Sequence, residues 1–493
     1  MGEYLLRAID IHKYFAGVRA LDGTTLEIGH GEIHCLAGEN GCGKSTLIKV
    51  ISGVHQRDSG TLELNGELIE KNKPIDAILK GVQVIYQDFS VFPNLTVMEN
   101  LAINTQLASK RKIVNWKKMR KIAEEAISKI NFEVDLDLTL KSLSVAEKQM
   151  VAICRALMQN AKLLIMDEPT TALTKKEVKA LFNVIKKLKE QGISILFVSH
   201  KLDEVFEISD RFTIMRNGKT VITGKTTEFD NKKFSYYMTG REFESKPKEV
   251  ASFLEEPILE VKDISYKGSF ENISFSLRKG EIKGITGLLD SGRLELALSL
   301  FGIRPITSGQ ILINGEPVNL KSPGDAIKHK IGYVPEDRLS EGLFLSQSIA
   351  DNIIISEIDT LVHKGILDKE KYEKEVKEWV SKLSIATPDP ENAASTLSGG
   401  NQQRIVLAKW LACKPNILIL NGPTVGVDIG SKYDLHKILQ ELAKEGMAIL
   451  IISDDLPEIV ENCSTVLILK SGKIVEETET HSINEKVILD KMM

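Results

Sequence analysis

Gly38-Glu39-Asn40-Gly41-Cys42-Gly43-Lys44-Ser45-Thr46 fits the phosphate-loop pattern G-x-x-x-x-G-K-[ST]. The apolar stretch 32–37 before it reads as a strand, and a helix is expected from Lys44. In that frame the glycines let backbone N–H groups close around phosphate oxygens, and the helix start adds its positive end. Residues Gly38 to Thr46 are therefore expected to bind a nucleotide. Lys44 should reach its β- and γ-phosphates, with the Ser45 hydroxyl on Mg2+.

The same place in a second copy reads Gly287-Leu288-Leu289-Asp290-Ser291-Gly292-Arg293-Leu294-Glu295. Gly38 and Gly287 are 249 apart, as are Gln87 and Glu336. Ser144 and Ser398, Asp167 and Asn421, and His200 and Asp454 are each 254 apart. A five-residue insertion thus falls between Glu336 and Ser398. A period of this length is a whole domain in tandem, since solenoid and propeller units run only about 20–50 residues. The expected division is a first domain at 1–243, a polar linker at 244–256 and a second domain at 257–493. Met238 and Met492 are again 254 apart, so no further domain is expected after the second copy.

Composition narrows the class. The 493 residues carry a formal charge of −4, which gives no general attraction to nucleic acid. The lysine-rich stretches 110–121 and 175–189 are interleaved with apolar residues and read as solvated helix faces. No apolar run approaches the roughly 18–20 residues that span a bilayer, and no signal peptide opens the sequence, so a soluble protein is expected. Five cysteines without C-x-x-C spacing, one of them Cys42 in the phosphate loop, suit a reducing compartment.

Further along the first copy, the apolar run 163–166 ends in Asp167-Glu168-Pro169-Thr170. A carboxylate at a strand end beside a phosphate loop is placed to hold hydrated Mg2+, and Glu168 beside it can polarise the attacking water. The order of phosphate loop, Gln87 after an apolar strand, Leu143-Ser144 at a helix start, Asp167-Glu168-Pro169 and Ser199-His200 resembles the ATPase subunit of ABC transporters. The resemblance implies two tandem ABC-type P-loop NTPase domains of α/β class. Each would have a RecA-like core, an antiparallel β subdomain and a helical signature subdomain. It further implies that Gln87 senses Mg2+ and the membrane partner, that His200 contacts the γ-phosphate, and that Phe15 stacks on adenine. Tyr14 and simple core packing are the competing readings at that last position.

The family's Leu-Ser-Gly-Gly-Gln signature reads Leu143-Ser144-Val145-Ala146-Glu147 in the first copy, and Thr174 replaces the aspartate of the D-loop. The second copy has the opposite lesions. Arg293 and Leu294 replace the lysine and serine, Asn421 and Gly422 replace the two acids, and Asp454 stands for the histidine. Asp290 adds a charge that would repel a phosphate about 4 Å away by roughly 4 kcal/mol at an effective dielectric near 20, offset in part by Arg293. Yet Ser398-Gly399-Gly400-Asn401-Gln402 and Asp428 keep the signature and the D-loop. Proteins of this family bind each ATP between the phosphate loop of one domain and the signature of another. Head-to-tail pairing therefore gives one complete site and one dead one, with Ser398, Gly399, Gly400, Asn401 and Asp428 as nucleotide contacts.

The whole chain is similar to the fused ATP-binding subunits of bacterial monosaccharide importers of the ribose, galactose and xylose type. Phe15 to Leu21, Met238-Thr239-Gly240-Arg241-Glu242, Gly332 to Arg338 and Gly426-Val427-Asp428 carry that likeness. It implies ATP and Mg2+ as cofactors, two permease subunits and an extracytoplasmic sugar-binding protein as partners, and a peripheral place on the cytoplasmic face of the membrane. Segments 89–104 and 339–354 would receive the permeases. The alternatives are a nucleoside importer of the same architecture and an ABC ATPase acting on the ribosome. The latter typically keeps both catalytic sites and a long basic linker, neither of which occurs here.

Overall fold

The computed structural model describes residues 4–15, 17–86, 91–108, 114–171, 173–199, 201–242, 256–288 and 290–493, with backbone alone for 104–108 and 175. The chain divides into two compact units, Met1–Glu244 and Ser245–Met493. Most of the expected linker lies outside the described residues.

In the first unit a six-stranded sheet runs in the order Lys219–Lys225, Arg211–Arg216, Ile33–Ala37, Ser194–Val198, Leu163–Asp167, Val82–Ile85. All its pairings are parallel except that of Lys219–Lys225. Every residue of Ile33–Ala37 and Ser194–Val198 is buried, as central strands covered on both faces require. Leu163–Asp167 is buried until its last residue, which emerges at the sheet edge. Asp167 pairs in register with Val198, and Leu36 pairs with the same Val198. The phosphate loop, Asp167-Glu168 and Ser199 therefore leave the sheet along one carboxyl edge, where open α/β sheets bind ligands.

An antiparallel sheet, ordered Val18–Gly29, Tyr4–Phe15, Ser59–Leu64, Glu67–Leu68, covers the other side of the loop helix. Leu47 and Ile48 of the helix Lys44–Ile51 sit in one cluster with Leu6 and Leu26 of that sheet and Ile165 and Leu196 of the parallel one. Burying each such side chain contributes about 1.5–3 kcal/mol, so the helix is held from both sides. A helical region made of Val97–Ala108, Trp116–Ser128 and Val145–Leu157 completes the unit.

The second unit repeats this plan. Its parallel sheet is ordered Ile331–Val334, Ile417–Asn421, Ala448–Ile452, Ile282–Gly287, Thr465–Lys470, with antiparallel Lys473–Glu479 at the edge. Its antiparallel sheet is ordered Phe270–Arg278, Pro257–Tyr266, Ser308–Ile313, Glu316–Val318. The hairpin Val362–His363 with Ile366–Leu367 falls inside the interval where the repeat spacing grows. Among the described residues no helix is long and apolar enough to cross a membrane.

The helix Gly399–Ala412 of this unit carries a buried cation. Lys409 is 8% exposed, and its Nζ donates to the Gly342 carbonyl. Burial pulls its ammonium down from 10.5 to about 8. A lowered base contributes stability that is present above the unfolded value and lost as pH falls through the folded one. Relative to Lys409→Met, the wild-type second unit should therefore gain stability as pH rises from 8 towards 10.5. Denaturant midpoints of the two proteins across that range check this; a constant gap would refute it.

Candidate nucleotide site

Two glycines shape the first phosphate loop by necessity. A Cβ on Gly38 (φ +155°) would lie 2.4 Å from the Met215 carbonyl oxygen, and one on Gly43 (φ +108°) would lie 2.5 Å from that of Ala20. Gly43 is also the N-cap of the helix Lys44–Ile51, and no side chain caps it, so the first N–H donors stay open towards the loop. Lys44 is buried, with Nζ donating to the carbonyls of Gly38 at 2.6 Å and Glu39 at 2.9 Å. The ammonium thus lies drawn across the loop. Asn40, Gly41 and Ser45 are exposed at its lip, and Thr46 is half-buried. Burial, the largest cause, raises the Cys42 thiol, which stays neutral and adds no negative charge beside the phosphates.

Asp167 closes the other side. Burial first, and then the charge of Glu168, hold its carboxyl above the ordinary value, while Lys44, Lys49 and a hydrogen bond with Ser45 pull it back. A carboxylate and a hydroxyl brought together, with a second carboxylate next in the chain, offer the oxygen donors that a hard divalent cation takes. No cluster of three or more His, Cys, Asp or Glu that could hold a metal occurs among the described residues.

Glu168 sits in the left-handed region at φ +48°, which a residue with a side chain adopts only when its surroundings enforce it. Its N–H donates to the Val198 carbonyl, and the Thr171 hydroxyl lies 3.2 Å from its carbonyl and 3.5 Å from Oε2. The Thr170 and Ser199 hydroxyls both donate to buried Glu204, at 2.8 and 2.7 Å, which braces the two strand ends against each other. Gln87 and His200 lie outside the described residues. Phe15 is 39% exposed, with its ring edge-on to His55 and Lys13 Nζ 5.3 Å from its centroid. Tyr14 is 44% exposed and hydrogen-bonded through its hydroxyl to His12. Core packing describes neither ring.

The second loop keeps the shape and changes the charges. Arg293 is buried and pairs with Asp454 at 3.4 Å, while Asp290 points to solvent. The arginine at the lysine position and the aspartate at the histidine position thus neutralise each other. Asn421 hydrogen-bonds Tyr333, whose phenol burial pushes up to about 12. Gly422 repeats the left-handed turn of Glu168 at φ +56°, where glycine meets no steric cost. A Cβ there would lie 2.9 Å from Cγ of Glu336.

The two signatures differ in how their helices begin. Ser144 and Glu147 form a reciprocal capping box on Val145–Leu157, with Glu147 N–H donating to the serine hydroxyl and Ser144 N–H to the Glu147 carboxylate. Donors that would meet a phosphate are thereby taken up, and a carboxylate stands among them. Ser398 opens Gly399–Ala412 with no side-chain cap, and its hydroxyl accepts from Asn401 Nδ2 at 3.0 Å. Asp428 is the N-cap of Ile429–Lys444, accepting from Ser431 N–H, as Thr174 is for Lys175–Glu190. The S-x-x-E spacing of Ser144 and Glu147 is itself a helix-start signal, which reading those residues only as a damaged signature overlooks.

The family profile described as ABC transporter matches residues 21–171 and 270–425, more than half of the chain. The chain belongs to the ABC transporter family. It is 41% identical over 480 residues to the ribose import ATP-binding protein RbsA of Bacillus licheniformis, covering 97% of each chain. The protein of that name from Bacillus subtilis is 40% identical over 481 residues, again 97% of each. A putative ribose/galactose/methyl galactoside import ATP-binding protein of Halalkalibacterium halodurans is 38% identical over 99% of this chain and 94% of its own. A solved ATP-binding cassette of an ABC transporter, in its ADP conformation, aligns with 48% of this chain and 99% of its own at 28% identity and a TM-score of 0.43.

Restoring the acids of the second copy should not restore its chemistry. In a Glu168→Gln background, Asn421→Asp with Gly422→Glu should give no recovery of ATP turnover. The new glutamate meets Glu336, and Arg293 stays tied to Asp454. A phosphate-release assay that found recovered turnover would refute this account.

Proposed function

We propose that this chain is the ATP-hydrolysing subunit of a bacterial monosaccharide importer, with hydrolysis confined to the first phosphate loop. The observation that carries the reading is that the first unit has an uncapped, lysine-bearing phosphate loop and the second an uncapped signature helix. Lys44, the open start of its helix and the loop N–H groups bind the β- and γ-phosphates. Ser45, Asp167 and Gln87 would hold magnesium, which supplies charge neutralisation on the phosphate oxygens. Glu168, held in a left-handed backbone with the Thr171 hydroxyl beside its carboxylate, accepts a proton from the attacking water as the water oxygen bonds the γ-phosphorus. The bond from that phosphorus to the β–γ bridging oxygen breaks and ADP departs. His200 completes the γ-phosphate contacts and Phe15 faces the adenine. Ser398, Gly399, Gly400, Asn401 and Asp428 close the site from the signature side, supplied by the same chain or a second copy.

The relatives' names, on proteins matched over nearly their whole length, support ribose or a similar monosaccharide as the cargo. Partners on this reading are two membrane permeases and, through them, an extracytoplasmic sugar-binding protein, with the chain peripheral on the cytoplasmic face. Two exposed phenylalanines suit the permease contact. Phe92 is 49% and Phe344 60% exposed. Each has its backbone N–H and carbonyl held by one buried asparagine, Asn100 or Asn352, so both rings stand on rigid turns.

Glu168→Gln should collapse steady-state hydrolysis by about 100-fold or more, the usual scale for losing a positioned base, whereas Asn421→Asp should leave it unchanged. A large rise from the latter, followed by released phosphate, would overturn the one-site scheme. Truncating both rings (Phe92→Ala with Phe344→Ala) should weaken capture of the permeases from membrane extract while ATP binding stays as in the wild type. Undiminished capture would remove these rings from the contact.

A further inference from the structure

Arg338 follows the strand Ile331–Val334 and opens the turn Arg338–Gly342. Its guanidinium reaches across to the D-loop of the same unit, with Nη1 donating to the Val425 carbonyl at 2.8 Å and Nη2 to that of Gly426 at 3.2 Å. The same Nη2 lies 2.7 Å from where a Cβ on Gly399 would stand, so the first glycine of the signature makes room for the arginine. The far end of the turn is tied to the same helix, since Lys409 donates to the Gly342 carbonyl. The near end is tied by Asp337, whose carboxylate accepts from the N–H groups of Leu339 and Ser340. Exposed Leu339 and Phe344 sit within and just beyond this bolted turn.

The repeat sharpens the point. At the spacing of 249 that holds through Glu336, the residue matching Arg338 in the first copy is Phe89, which has no side-chain donor. The arginine therefore occurs on the unit that keeps its signature and D-loop, and not on the unit that lost both. Two carbonyls presented by one backbone turn suit a planar fork, and an ammonium cannot match both at once.

We propose that Arg338 is a positioning residue, which couples the permease-facing turn 339–344 to the D-loop and the Ser398–Gly400 turn. Permease engagement then sets how the signature is presented to ATP. The inference rests on the importer reading above, and the importer as it exists, the chain with its permeases in lipid vesicles, is the system that tests it. Arg338→Ala should lower kcat for permease-stimulated ATP hydrolysis by about tenfold or more, the scale of a misplaced catalytic group. Affinity for a fluorescent ATP analogue and capture of the permeases should stay within about twofold of wild type, within the scatter of an undisturbed site. Arg338→Lys should recover part of the rate, because it can engage one carbonyl. Full permease stimulation in Arg338→Ala would overturn the proposal. Should that variant fail to fold, full stimulation in a folded Arg338→Lys would overturn it equally. If instead a complex that is wild type but for Glu168→Gln kept its turnover, the proposed confinement of hydrolysis to the first loop would fall and this coupling would not be the cause.

Discussion

A helix that begins without a side-chain cap leaves N–H donors that something must accept, and the chemistry of this chain depends on that constraint. At Lys44 and at Gly399 the acceptors are left to come from outside, because the first N-cap is a glycine and the second is Ser398, whose hydroxyl accepts from the Asn401 side chain and not from a helix N–H. At Val145 two of the donors, the N–H groups of Glu147 and Ser144, are satisfied internally by a capping box. The local gain from such a cap is about 1 kcal/mol. Its functional consequence is larger, since a phosphate arriving there would have to displace a carboxylate already seated. Loss of the first signature is thus a self-sealed helix start as well as two missing glycines.

The second phosphate loop shows that an open helix start is not sufficient. Arg293–Leu300 also lacks a side-chain cap and follows a left-handed glycine, so its backbone remains shaped for a phosphate. What differs is the electrostatics. The lysine of the first loop is held by neutral carbonyls, which it can exchange for phosphate oxygens at small cost. Arg293 pairs with Asp454, a carboxylate that is largely solvent-exposed, so the pair itself is weak, but it sets a negative charge beside the loop where the first copy has a histidine. Asn421 and Gly422 remove the two carboxylates that stand at the strand end of the first copy. The four changes are mutually consistent, and reversing one or two leaves the others in conflict with it.

Much of this was legible in the chain. A strand, glycine loop and helix in tandem at spacings of 249 and 254 implied two units of one topology, and both sheets run in the same order. The change of spacing pointed to an insertion, and a small hairpin lies in that interval. The place of Asp167 at the carboxyl end of a buried strand was legible because an apolar run there ends in acids. The pairing of Arg293 with Asp454 was not legible, since the two are 161 positions apart and each reads alone as a lesion. The grip of Arg338 on Val425 and Gly426 was hidden for another reason. Its acceptors are backbone carbonyls, which every residue carries, so no side-chain pattern marks them.

The left-handed backbone at Glu168 ties these threads to catalysis. At Gly422 the same turn is free of strain, so the turn belongs to the fold and was not introduced by the acid. Keeping a glutamate there costs of order 1 kcal/mol or more of backbone strain, and the surrounding strands must sustain it. The Val198 carbonyl accepts from its N–H, and Glu204 clamps Thr170 to Ser199 on either side. The second unit keeps a like clamp, with Thr424 donating to Glu458 and Ser453 hydrogen-bonded to the same carboxylate, although no strained acid remains for it to support. A brace that outlives its load indicates that the strained glutamate was accommodated by a scaffold already rigid. On the one-site proposal, the residue seated in the turn and the charges facing it are then what separate a working site from a silent one.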